Sequence, residues 1–339
     1  RKADLRLDAG ALGQAVVVAG KPGESELFQR ITHADPTERM PPQESGRALT
    51  ESEVATIRRW IEQGAQWEKH WAFIPLKRPT VRATRNSAWP RGAIDRFILA
   101  KLERAGLKPS PAADRETLLR RVAFALTGLP PPPAEIDAFL ADTSPRAYEV
   151  VVDRLLASPR YGERMAIDWL DAARYADSHG YSLDRRRVMW PWRDWVIAAF
   201  NDNMPYDQFI TEQLAGDLLP NPTMEQLVAT GFVRMNPTTA EGGVIPAEFQ
   251  AKNNFDRTET LGTVFLGMTM ICSRCHTHKY DPIKQTEYYQ LMAFFNSTAE
   301  GPLDGNKYEY APVIKVPPNQ GAWEAWEAFK AKQNQLVNQ

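Results

Sequence analysis

Cysteine, basic excess and long apolar runs are all scarce in this sequence, and each shortage closes off a class of protein. Only two cysteines occur among 339 residues, Cys272 and Cys275, so no framework of disulfides holds the chain together. Lysine and arginine number 41 against 42 aspartates and glutamates, a formal charge of −1. With no surplus of positive charge to neutralise phosphates, nucleic acid is excluded as the main partner. No apolar run approaches the ~20 residues that cross a bilayer, so no transmembrane segment is expected. An initiator Met and a signal-peptide pattern are missing too, and the opening at Arg1 reads as the continuation of something longer. Histidine is rare: His33, His70, His179, His276 and His278 are all there are.

What is present is an ordinary globular composition, 43% hydrophobic and 24% charged. The 26 prolines cluster at 41–42, 130–133 and 317–318, where they punctuate helices rather than kink them. Ten Trp, ten Tyr and fourteen Phe are enough to line a flat cofactor or a sugar. The two cysteines sit together in Cys272-Ser273-Arg274-Cys275-His276. This C-x-x-C-H spacing is the attachment signature of c-type haem: two thiols add to neighbouring vinyl groups and the next imidazole lies under the iron. Three other readings stay open. A zinc site would draw on Cys272, Cys275, His276 and His278, but His276 adjoins Cys275 and does not easily share a tetrahedron with it. A redox dithiol usually opens a helix after a strand, for which Met270-Ile271 is weak support. The last is a chance match.

In chain order, residues 1–68 form a first unit. Ser25 caps a short helix through Leu27, Phe28 and Ile31. Thr50, with Glu51 and Glu53 following, caps a second helix whose apolar face is Val54, Ile57, Trp60 and Ile61 and which stops at Gly64. Met40-Pro41-Pro42 lies between them, resembling the loop that precedes the last helix of small cytochrome c domains, where a Met meets the iron opposite the His. The plainer reading is a loop Met. Residues 69–92 read as an extended, proline-marked linker. From 93 to 300 the pattern is helical, beginning with a face of Ile94, Phe97, Ile98 and Leu102. A helix from Tyr161 to about Ser178 is expected, then others from Trp190, Tyr206 and Met224. Residues 249–270 read as helix, with 263–265 and 268–271 equally able to form a short buried strand. Thr286 is expected to cap a helix reaching Phe295. Residues 301–339 are loop, a possible strand at Val313, Ile314 and Val316, and the start of a further helix.

The ligand opposite His276 is not fixed by spacing. His278 is tethered too closely to reach round a porphyrin and suits orienting the loop or meeting a propionate. His70, His179, Met189, Met235 and Met268 could each approach from afar, and each is as readily a packing residue. On the helix expected at 161–178, Asp171, Arg174 and Asp177 fall three apart on one face. They make either an ion-pair row or a polar catalytic site beside the haem, with Arg174 and Asp177 as its candidates. Arg185-Arg186-Arg187 reads as a solvated patch, or as a contact for a propionate or an anionic substrate. Asp217 and Asp256-Arg257, like the Asp171–Arg174–Asp177 set, are open between an ion pair and a polar site.

Taken together, these motifs resemble a family of large secreted bacterial proteins with planctomycete-type cytochrome domains, in which a cytochrome c domain precedes helical domains of unassigned function. The residues that carry the likeness are Met40-Pro41-Pro42, Trp60-Ile61, His70-Trp71-Ala72-Phe73, Gly128-Leu129-Pro130-Pro131, Tyr161-Gly162-Glu163-Arg164, Ala173-Arg174-Tyr175-Ala176-Asp177-Ser178, Pro205-Tyr206-Asp207-Gln208-Phe209, Gln213-Leu214-Ala215-Gly216-Asp217 and Cys272 to His276 with His278-Lys279-Tyr280-Asp281-Pro282. The resemblance implies that residues 1–68 are the C-terminal part of a cytochrome c-like domain. It implies that Met40 is the axial ligand of a first haem whose own attachment motif lies upstream of Arg1. It also favours His70 as the ligand opposite His276.

The expected protein is therefore mainly α, a truncated cytochrome c lobe followed by a larger helical c-type haem domain. It carries one covalent haem c on Cys272, Cys275 and His276, with a second haem c in the intact protein. The expected role is periplasmic or secreted electron transfer within a larger oxidoreductase, with a redox partner protein or a second haem domain as partner. The alternatives are a haem enzyme with an open distal site for a small or carbohydrate substrate, and a non-redox metal-binding scaffold.

Overall fold

The computed structural model describes residues 16–68, 72, 74–181, 184, 186–239, 241–303, 313–317 and 320–337. The chain divides into two compact units, 1–111 and 112–339. Among the described residues there are helices and no strands; the one trace of sheet is an isolated antiparallel bridge between Ser178 and Arg186.

In the first unit, helix α1 (Glu26–Ile31) and helix α2 (Glu51–Glu62) share a core of Val17, Leu27, Phe28, Ile31, Ile61 and Ala65. Ser25 stands at the α1 N-cap position, but its hydroxyl does not cap. Fully buried, it accepts the Val18 N–H at 2.9 Å and donates to the Lys21 carbonyl, pinning the incoming chain. Thr50 does cap α2, through a reciprocal box with Glu53. Residues 74–92 have no regular secondary structure. Helix α3 (Ala93–Arg104) departs from expectation in its orientation: Leu99 and Ala100 are buried, whereas Ile94 is 76% and Ile98 48% exposed. Apolar residues form two stripes on this helix, and tertiary packing chooses between them.

In the second unit, Asp114 caps α4 (Arg115–Thr127) by accepting the Thr117 N–H at 2.7 Å, and Gly128 ends it in the left-handed region at φ 69°. Helices α5 (Pro133–Ala141) and α6 (Ala147–Leu156) fold onto it around Leu119, Phe139, Val151 and Leu155. Helix α7 (Pro159–Ala172) pairs with α8 (Trp190–Asn201), and α9 (Tyr206–Ala215) and α10 (Met224–Ala229) complete an aromatic core of Trp192, Trp195, Phe209 and Phe232. The long helix α11 (Pro246–Leu266) leads through Gly267, at φ 61°, into a 3₁₀ turn over Ile271–Arg274, then α12 (Gln285–Asn296) and α13 (Gln320–Val337).

The structure departs from the sequence reading in three places in this unit. The helix begun near Tyr161 stops at Ala172, not Ser178. Arg174 turns into the left-handed region at φ 64°, and the Arg174 and Tyr175 N–H groups bond back to the carbonyls of Asp171 and Leu170, closing the helix end. No strand forms at 263–271 or at 313–317: the first stretch finishes α11 and enters the 3₁₀ turn, and the second is irregular. Thr286 lies inside the first turn of α12, whose N-cap position is Lys284, with the Glu287 carboxylate accepting the Lys284 N–H at 2.9 Å.

Candidate functional site

The cysteine loop is braced from both sides. Arg274, between the cysteines, forks onto the Glu259 carboxylate of α11 at 2.6 and 2.8 Å and lies over the Phe255 ring. Tyr288 of α12 donates to the same carboxylate. The Arg274 carbonyl accepts from the Gln285 side chain and the Tyr289 hydroxyl, both at 2.9 Å. Buried His278 orients the loop as expected: its Nδ1 accepts the Asp281 N–H at 2.8 Å, and its own N–H donates to the Ile283 carbonyl. Met270, Ile283 and Tyr288 pack beneath. On this rigid base Cys272 and Cys275 are free and exposed, and so is His276. The His276 Nδ1 lies 2.8 Å from the Thr277 carbonyl. A carbonyl only accepts, so Nδ1 carries the proton and Nε2 keeps its lone pair for a metal. A shallow groove of about 610 Å³ runs beside the loop, lined by Gln285, Tyr289 and Ala293.

In the first unit, Met40 lines a cavity of about 770 Å³. Its walls include apolar Phe28, Leu49 and Val54, while Arg39, Arg47 and Arg58 bring positive charge to it. His70 lies outside the described residues.

Arg174 and Asp177 do not share a helix face. Arg174 pairs with Asp256 of α11, while the Asp177 carboxylate accepts the Tyr175 hydroxyl at 2.7 Å. Arg187 is not solvated: it is buried and donates to the Met235 and Asn236 carbonyls at 3.3 and 3.2 Å. Arg257, also buried, forks onto the Asn236 side chain and pairs with Glu300, which also receives Arg234. His179 is buried with its Nδ1 2.7 Å from the Thr238 hydroxyl. Burial, then the neighbouring Arg187 and Arg257, draws Arg174 down to about 10 despite Asp256. Met189, Met235 and Met268 are packing residues, in the aromatic core and beneath the cysteine loop respectively. Sequence reasoning singled out Arg174 and raised Arg257 with Asp256, but missed that Arg257 meets Asn236 and Glu300. Nothing along the chain announces that a charged residue will be buried.

Residues 93–300 match the family model PSCyt2, described as a protein of unknown function (DUF1549). The chain belongs to the PSCyt2 family. Residues 1–44 match the model Planctomycete cytochrome C, so the stretch that includes Met40 is similar to a cytochrome c domain, the type that binds haem c covalently. No curated protein and no solved structure matches. Haem c is thus implied for the stretch similar to a cytochrome c domain, and two places hold residues of the chemistry it needs. The Met40 cavity offers a thioether among apolar walls with arginines for carboxylates, and the loop offers two free thiols beside an imidazole with Nε2 available. A zinc site draws no such support: among the described residues no three His, Cys, Asp or Glu side chains come together to hold a metal.

Proposed function

We propose that this member of the PSCyt2 family is an extracytoplasmic c-type haem protein that carries electrons within a larger oxidoreductase. The observation that carries the proposal is the state of the loop: free, exposed Cys272 and Cys275 beside an imidazole whose Nδ1 proton is committed to Thr277. Haem c held there supplies a one-electron iron couple. Cys272 and Cys275 would anchor it, His276 would ligate it, and the Arg274–Glu259 fork would keep the three in register. In the first unit, Met40 would offer its thioether to the iron of such a group, and Arg39, Arg47 and Arg58 would neutralise its carboxylates. A periplasmic or secreted location follows from where c-type haem is attached, and the electrons would pass to a redox partner protein or second haem domain.

The test is a pyridine haemochrome spectrum of protein matured with a c-type attachment system. The expected result is a c-type band that survives acid extraction of the haem, and that the double variant Cys272→Ala, Cys275→Ala loses from this loop. Protein that takes up zinc and no iron under those conditions would overturn the reading. One observation favours a second reading, a haem enzyme acting on a small substrate: helix α11 carries Glu259 toward the cysteine loop and Asp256 and Arg257 toward the buried arginines. A high-spin, five-coordinate resting spectrum would select it.

A further inference from the structure

We propose that Cys272 and Cys275 of the haem-free chain form a reversible dithiol–disulfide couple, oxidised by exchange with a low-molecular-weight disulfide of the glutathione type. The inference goes beyond the haem reading: it concerns the sulfurs themselves and stands whether or not a porphyrin is later attached to them.

The backbone of the loop sets the spacing. Ile271–Arg274 is a 3₁₀ turn, and the Cys275 N–H closes it on the Cys272 carbonyl. Residues three apart in such a turn are separated by one full revolution and about 6 Å, and their side chains eclipse. A disulfide needs Cα atoms about 4.4–6.8 Å apart with Cβ atoms facing the same way. The two residues between the cysteines are taken up elsewhere: Ser273 is fully buried, and Arg274 forks onto Glu259. Cys272 and Cys275 are left together on the exposed side, both free. A free cysteine kept for packing is among the most buried of residues, so this placement is unusual. Two exposed thiols on one face of one turn are explained by their reactivity.

The base of the loop keeps the pair in place. The Gln285 side chain and the Tyr289 hydroxyl both donate to the Arg274 carbonyl, Tyr288 donates to Glu259, and His278 accepts the Asp281 N–H. None of these contacts involves a sulfur, so closing the disulfide breaks none of them. The chemistry is thiol–disulfide exchange. The thiolate of one cysteine attacks a sulfur of the external disulfide, forming a mixed disulfide and expelling one thiolate, which takes up a proton. The second cysteine gives up its proton and attacks the protein sulfur of the mixed bond, closing Cys272–Cys275 and expelling the other half as a thiol. The loop loses two electrons and two protons, and the external disulfide gains both and leaves as two thiols. Under the haem reading the couple also gates the loop, since a thioether to a vinyl group forms from a thiol and a closed disulfide offers none.

Arg274 gives the test a direct readout. The full haem-free chain would be equilibrated at stepped ratios of reduced to oxidised glutathione, quenched in acid, alkylated, and digested with trypsin without reductant. Trypsin cuts after Arg274, so the two cysteines fall on separate peptides that only a disulfide joins. The expected result is one transition from two alkylated thiols to joined peptides, in monomeric chain. Mixed glutathione disulfides should stay below about a tenth of the closed form, because the second thiol is tethered beside the first. Cys272→Ser and Cys275→Ser should each lose the joined peptides and gain a lasting glutathione adduct on the remaining thiol. The proposal is overturned if both thiols stay alkylatable at every ratio, if both carry separate glutathiones, or if the joined peptides come only from chain dimers. Haem uptake is read separately, by the pyridine haemochrome. Haem on a chain that never forms the disulfide overturns the couple and leaves the haem reading standing; a disulfide on a chain that takes no haem does the reverse.

Discussion

Tyr175 shows how one residue can report on the junction around Arg174. Its ring stacks near Trp192 of the aromatic core, and its hydroxyl donates to Asp177. Burial first, then that hydrogen bond, pushes its pKa from 10.0 up to about 12. An acid with a raised folded pKa holds its proton more tightly when folded. Its stabilising contribution is complete below pH 10 and is lost as the pH rises towards 12. Tyr175→Phe should therefore flatten the alkaline loss of stability across that window, read by urea titrations at stepped pH. An unchanged alkaline slope would show that Tyr175 ionises as freely in the folded protein as in the unfolded one.

Among the elements, the α7–α8 pair depends on one position where a side chain does not fit. Gly162 donates its N–H to the Asn201 side chain at 2.8 Å, and a Cβ there would stand 2.4 Å from the Ile197 carbonyl. That neighbour is backbone and cannot rotate away. Gly162→Ala should cost about 1–3 kcal/mol, measured as a lower urea midpoint, by forcing the helices apart. A change within about 0.5 kcal/mol, the range of an ordinary surface substitution, would mean the pair has slack. Helix α11 shows the opposite kind of dependence. Its Phe255 and Glu259 brace the cysteine loop, while Asp256 and Arg257 pair with Arg174 and Glu300, so one helix sets the position of both groups.

For the whole molecule, the segment 74–92 is the weak point of the backbone, exposed and without regular structure. Limited trypsin digestion should cut first after Lys77 and Arg82. The Arg78–Pro79 bond resists because of its proline, and Arg85 is held back by its N–H bonds to Glu103. Mass spectrometry of the first fragments checks this, and initial cleavage inside the helices from 115 to 296 would contradict it.

Much of this was legible along the chain because it depends on neighbours in sequence. The helical class, the cap at Thr50, and the C-x-x-C-H loop with His278 as its orienting residue rest on contacts a few residues apart. The end of α7 was misplaced because a left-handed arginine is unfavourable locally, and it is held by Asp256, 82 residues away. Likewise the buried stripe of α3, the burial of Arg187 and the convergence of Arg257 with Asn236 and Glu300 were not readable, since long-range packing selects among patterns that local propensity leaves equal. The sequence by itself determined the helices and which side chains the cysteine loop offers, because those follow from short-range geometry. Only the tertiary structure decided that Met40 borders a cavity, and that Arg187 and Arg257 are buried beside Arg174, because burial and charge proximity exist only once distant segments meet.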